Sequence, residues 1–156
     1  MERRAAPLFV LVAASLLAAC DTPSTRVLVE NRSGAVVYRA RWHAVSFDAP
    51  LAPGASSEPA DTVPASETPA WAVLAPGFDP ATPDATPPSL VVVRSRAGFA
   101  VGLNQTLTIP VDDATFAGDC AAGDPLDQAE ADFLTTRVFA DLFAGRRYDA
   151  ATCTVR

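Results

Sequence analysis

Val36-Val37-Tyr38-Arg39-Ala40-Arg41-Trp42-His43-Ala44-Val45 is the stretch on which the fold class turns. Successive side chains of a β-strand point to opposite faces, so an apolar period of two marks a strand with one face covered. Here Val36, Tyr38, Ala40, Trp42 and Ala44 fall on one face. Val37, Arg39, Arg41, His43 and Val45 fall on the other. The first set is expected in the core and the second mostly in water. Upstream, Arg26 to Glu30 is a β-forming run, and Asn31-Arg32-Ser33-Gly34 carries turn residues. Residues 26–45 therefore read as a β-hairpin.

The same alternation continues downstream. Leu90 to Val93 is an unbroken apolar run, expected of a central strand covered on both sides, with Arg94 and Arg96 at its exit. After a turn at Arg96-Ala97-Gly98, the residues Phe99, Val101, Leu103, Leu107, Ile109 and Val111 are all odd-numbered. They give two short strands broken near Asn104-Gln105, or one bulged strand. Pro110 lacks an N–H and so favours a sheet edge. Ten of the fourteen prolines lie between residues 48 and 88. Leu51-Ala52-Pro53-Gly54 and Leu74-Ala75-Pro76-Gly77 read as type II turns at strand corners. Residues 55–69 and 78–88 are expected as irregular surface loops around a short buried strand at Trp71 to Leu74.

The last forty residues change period. Asp124 suits an N-cap and Pro125 the first helical position, and Asp127 lies in the first turn. Leu126, Ala129, Phe133 and Leu134, then Val138, Phe139, Leu142 and Phe143, recur at helical spacing. Gly145 suits the helix end, and the β-branched pair Thr135-Thr136 is a candidate break. A final strand is expected at Tyr148 to Val155. The fold class is mainly β: a β-sandwich-like domain, immunoglobulin- or transthyretin-like, with one C-terminal α-helix over about 125–144. The pattern argues against α/β.

The first twenty residues have a different plan. Arg3 and Arg4 precede an apolar segment from Leu8 to Leu17, and small residues lead to Cys20. That segment is about ten residues long, against the roughly 20 a spanning helix needs, so it reads as a secretory signal. Leu17-Ala18-Ala19-Cys20 resembles the lipobox of bacterial lipoproteins, in which a peptidase cuts before a cysteine that becomes diacylated. The resemblance implies a signal peptide over 1–19, a lipidated Cys20 with a short tether over 20–25, and a single domain over 26–156. It also implies a bacterial envelope location, anchored on the periplasmic side of an inner or outer membrane, or at the cell surface. Asp21 resembles the inner-membrane retention signal of enteric lipoproteins.

Composition narrows the partners. The chain has 12 basic and 18 acidic residues; without Arg3, Arg4 and Glu2 these become 10 and 17, a net charge near −7. No lysine occurs. An acidic domain without a basic, aromatic-interleaved patch is not expected to bind nucleic acid. Cys120 and Cys153 remain after Cys20, and an oxidising compartment favours their pairing as a disulfide. A loop of about 34 residues closed this way contributes roughly 3.7 kcal/mol in the chain-entropy model. Neither cysteine has a CxxC neighbour, which speaks against redox catalysis and zinc.

No residue is assigned as catalytic, cofactor-binding or metal-binding. His43, the only histidine, has Ser46 and Asp48 nearby, but three residues of one strand and its exit seldom converge as a triad. The acidic set around Asp112, Asp113 and Asp119 lacks calcium-loop spacing. Arg39 and Arg41 share a face, and strand order decides whether Arg94 and Arg96 join them. Trp42, Trp71 and the stripe through Phe139 and Phe143 are expected in the core. The chain is thus expected to be a non-enzymatic binding or structural module of the envelope, held to the membrane through Cys20, with an envelope protein as a possible partner and no cofactor. An envelope hydrolase using His43, and a metal- or small-ligand-binding lipoprotein, are the rival readings.

Overall fold

Arg26-Val27-Leu28-Val29-Glu30 does form a strand, but it is not the first arm of a hairpin. The structure, a computed structural model, describes residues 24–82, 87, 89–120, 123–152 and 154–155. Strand β1 (Thr25–Asn31) lies between β4 (Ala60–Thr62), antiparallel to it, and β9 (Thr106–Val111), parallel to it. Strand β2 (Val36–Trp42) belongs to a second sheet of order β10-β7-β6-β2-β3. The other members are β3 (Val45–Phe47), β6 (Ala70–Ala75), β7 (Val91–Ser95) and β10 (Phe116–Ala117), all antiparallel to their neighbours. A short pair, β5 (Ala65–Thr68) with β8 (Phe99–Val101), and a small hairpin of β11 (Tyr148–Asp149) and β12 (Thr154–Val155) complete the strands.

The segment between β1 and β2 is therefore a corner from one sheet to the other. Buried Asn31 builds it: its Nδ2 donates to the carbonyls of Ala35 and Leu51 at 2.8 Å each, and its Oδ1 accepts from Ser33 N at 3.0 Å. Alternation identified both strands; it carries no information about which strand each one pairs with.

The alternation of β2 also slips. The ladder to β6 shifts between Val37 and Arg39, a β-bulge. Val37 joins Ala40 and Trp42 between the two sheets, whereas Val36 and Tyr38 face the other way. The strand ends at Trp42; His43, with a φ of 51°, and Ala44 form a two-residue turn into β3. The stretch 55–69, expected as loop, holds β4 and β5. The Pro-Gly corners are as expected: Gly54 and Gly77 have φ of 81° and 72°.

Two apolar layers result. One lies between the sheets, with Val27, Val29, Trp42, Leu74, Ile109 and Phe116. Trp42 is fully buried, and its Nε1 donates to Thr68 O at 3.0 Å. The other layer lies on the far face of the five-stranded sheet, where Val36, Val73 and Val92 meet Leu126, Leu134, Phe139, Phe143 and Tyr148. As expected of a central strand, β7 is covered on both sides, with Val92 and Val93 buried in opposite layers. Pro110 sits on β9, an edge strand.

The C-terminal helix is shorter than its periodicity suggests. Helix α1 spans Gln128–Phe133 and passes into a π-helical turn at Leu134–Val138. The N-cap is Asp127, not Asp124: its Oδ1 accepts from Glu130 N at 2.8 Å, while Asp124 is engaged by Arg96. Thr135 and Thr136 return their hydroxyls to Ala131 O and Asp132 O, at 2.8 and 2.6 Å, and these bonds loosen the helix where it widens. The chain reaches α1 past Gly118, where a Cβ would stand 2.4 Å from Val92 O, so only glycine allows so close a crossing. Among the described residues no helix is long and apolar enough to cross a membrane.

Candidate functional site

Strand order decides where the arginines go. Arg41 pairs with Trp71, and Trp71 with Arg94, across β2, β6 and β7. Directly opposed residues on neighbouring strands share a face, so the three form one row, its ends about 10 Å apart. Arg39, opposite Val73, shares that face too, but it turns to Asp48 and lies over Tyr38 at 5.5 Å. Arg96 is beyond the strand and pairs with Asp124. The four arginines do not form one patch.

Helix α1 and the π-turn lie across the row. Phe133 stands edge-on to Trp71, with ring centres 6.1 Å apart at 61°. Glu130 Oε1 takes Arg94 Nη2 at 2.7 Å, and Val138 O takes Arg41 Nη1 at 3.2 Å. The two arginines thus clamp the helical segment at both ends, and Trp71 and Phe133 meet between them. Phe133 keeps half its surface in water, at 50 % exposure. Beside it opens a cleft of about 400 Å³, walled by Pro69, Trp71, Phe133 and Leu134 and edged by Arg94, Glu130 and Asp127. Arg94 Nε is buried with no hydrogen-bond partner among the described residues. The lining is apolar and aromatic with a charged pair at one side, a composition that suits ligand or side-chain recognition. It offers no nucleophile with an adjacent base.

The other residues singled out in the sequence are placed apart from this cleft. His43 is exposed and lines a shallow depression with Asp61, Thr62 and Val63. Asp48 is paired with Arg39, and Ser46 sits opposite Arg41 on β3. Asp112 Oδ1 accepts from Thr115 N at 2.8 Å and serves its own turn. Asp113 and Asp119 line a separate cavity of about 490 Å³ beside Gly34, Leu74 and Cys120. Among the described residues, no three His, Cys, Asp or Glu side chains converge as a metal set, so Asp112, Asp113 and Asp119 are not brought together as ligands. Phe139 and Phe143 are both core. Cys120 Sγ lies 3.3 Å from Ala150 O; Cys20 and Cys153 are outside the described residues.

Sequence reading placed Trp71 in the core and Phe133 in an apolar stripe. Their meeting depends on the helix stopping at Phe133, which periodicity does not report. The one local signal was Glu130 three residues before Phe133, on the same side of a helix.

Compared with protein-family models, with curated proteins and with solved structures, the chain finds no match in any of the three. What is established is the class: a mainly β, sandwich-like domain with a C-terminal helix laid over its larger sheet.

Proposed function

We propose that this chain is a membrane-anchored bacterial lipoprotein whose domain is a non-enzymatic binding module of the cell envelope. The observation that carries the binding half is the cleft beside the Trp71–Phe133 contact, an open aromatic seat next to the Arg94–Glu130 pair. The anchor half rests on Leu17-Ala18-Ala19-Cys20, placed five residues before the first strand. The occupant that fits is an apolar or aromatic side chain of an envelope protein: a ring packs against the joined Trp71 and Phe133 rings, and a polar backbone faces the ion pair. A Cys120–Cys153 disulfide belongs to the same reading, since Cys120 packs against Ala150, three positions from Cys153.

Two measurements test the two halves. The mass of the chain purified from the membrane fraction is expected to show cleavage before Cys20 and a diacylglyceryl group on it. A processed chain with an unmodified Cys20 overturns the anchor. A photo-crosslinking residue at Phe133 is expected to capture one stoichiometric envelope protein in cells, and Trp71→Ala in the same chain is expected to cut the yield at least tenfold. Diffuse capture, unchanged by Trp71→Ala, overturns the binding site.

A further inference from the structure

Three large apolar side chains are exposed among the described residues: Phe133 in the cleft, Val63 at 59 % and Leu103 at 74 %. The last two are far apart in sequence but flank one point of the fold. Val63 follows Thr62, the residue that pairs with Thr25 at the start of β1. Leu103 precedes Asn104, whose N–H donates to Thr25 Oγ1 at 3.0 Å, while that hydroxyl donates to Gly102 O at 3.3 Å. On the next pair of strands, Ala65 faces Val101, and Val63 and Leu103 stand two residues beyond that pair on their respective chains. Both turns therefore project past the end of the sheets at which β1 begins.

That end is the one from which the chain leads to Cys20. Thr25 lies five positions after Cys20, a reach of about 18 Å at full extension. A domain tied to lipid through Cys20 holds this tip nearest the bilayer. The tip is also suited to that place by charge. Its one ion pair, Arg26 with Asp61 at 3.3 Å, is neutral overall, whereas the domain carries a net charge near −7, which disfavours contact with an anionic surface elsewhere. Pro64 and Asn104 follow the two apolar residues in sequence, and the His43–Ala44 turn shares a shallow depression with Asp61, Thr62 and Val63.

We infer that the Val63 and Leu103 turns form a membrane-seating tip that enters the lipid interface beside the acylated Cys20. The proposal rests on the lipoprotein reading and adds an orientation to it. Two apolar anchors and a covalent lipid make three points of attachment, which fixes the tilt of the domain.

Hydrogen exchange on the full chain tests it. The chain, expressed in bacteria and purified from membranes, is reconstituted into vesicles of phosphatidylethanolamine and phosphatidylglycerol. The reference is the Cys20→Ser chain in solution. Amides of Val63, Ala65 and residues 102–105 are expected to exchange at least fivefold more slowly in vesicles, with no change at Ser33 to Ala35, beyond the other end of β1. Val63→Glu with Leu103→Glu is expected to abolish that slowing while the chain stays in the vesicles. Equal exchange in a chain whose mass confirms acylation overturns the tip and leaves the lipoprotein reading standing. An unacylated mass overturns both. Concentration-dependent slowing of the same amides in the soluble Cys20→Ser chain reassigns the tip to contact between copies.

Discussion

The two faces of the five-stranded sheet are packed by different means. Its inner face meets a second sheet, and the layer between them is mostly aliphatic, in register, with Trp42 as its largest member and its indole N–H satisfied. Its outer face meets a six-residue helix, a π-turn and a run of turns, and there large rings fill the space: Phe78, Phe139, Phe143 and Tyr148. Arg39 Nε, Arg94 Nε and Tyr148 OH, the buried side-chain N and O atoms without a partner among the described residues, lie on that outer side. Regular strands satisfy their backbone by pairing and present a smooth apolar surface. Irregular chain covers a sheet with side-chain bulk instead, at some cost in polar satisfaction. The cleft beside Trp71 and Phe133 sits on this second, less regular face.

The contrast can be broken from either side. Trp42→Ala strikes the inner layer and is expected to cost about 3–5 kcal/mol, by lost burial and a cavity. Urea unfolding should show a lower midpoint with an unchanged slope, the mark of one cooperative unit. Reduction of the proposed Cys120–Cys153 bridge is expected to cost up to about 3.7 kcal/mol, in the chain-entropy model. Its effect should concentrate on the outer layer: amides of α1 and β11 lose protection first, and those of β1 and β9 last.

The smallest effect sharpens the comparison most. Burial pushes the Tyr148 hydroxyl up to about 12, against a smaller opposing pull from the Val92 backbone, and Asp119 and Asp149 add to the rise. An ordinary tyrosine ionises near 10. The folded state therefore holds the proton more tightly than the unfolded chain. This contribution is complete below pH 10 and is lost as pH rises from about 10 through 12. Tyr148→Phe removes a hydroxyl that makes no well-formed hydrogen bond, only a weak approach to the Val92 backbone, so it is expected to change neutral-pH stability by less than about 1 kcal/mol. Thermal melts between pH 9 and 11.5 should fall less steeply for the variant than for the parent chain. Equal slopes would mean that Tyr148 is not the titrating group.

How much of this was legible follows the same division. The strands around Val27, Ala40, Val92 and Ile109 were readable because alternation is a local property and each strand obeys it over several residues. Strand partners were not, because pairing is set by distant segments: the hairpin expected from Asn31-Arg32-Ser33-Gly34 is a corner instead, fixed by Asn31 reaching Leu51. The bulge at Tyr38 put Val37 on the face of Ala40 and Trp42, and Val36 and Tyr38 on the other, through one extra residue in one ladder. On the outer face the helical stripe was visible but its end was not. Thr135 and Thr136 were flagged as a break, yet their hydroxyls widen the helix rather than stop it. The cleft needs that ending, the strand row and Phe133 together, so no single stretch announced it.

The place of β1 has a consequence for the order of events in folding. Thr25 is bound by the backbone of Asn104, 79 residues along, and β1 runs parallel to β9 over its length. Its other side is paired nearer in sequence, by β4 along its first three residues and by Ala55 to Ser57 along Val29 to Asn31. The parallel side of β1 therefore has no partner until the chain beyond Thr106 is available. Contacts of such long sequence separation make folding slow, and they keep an early fragment from closing a core. Most of this chain must be assembled and present in one compartment before its smaller sheet can exist.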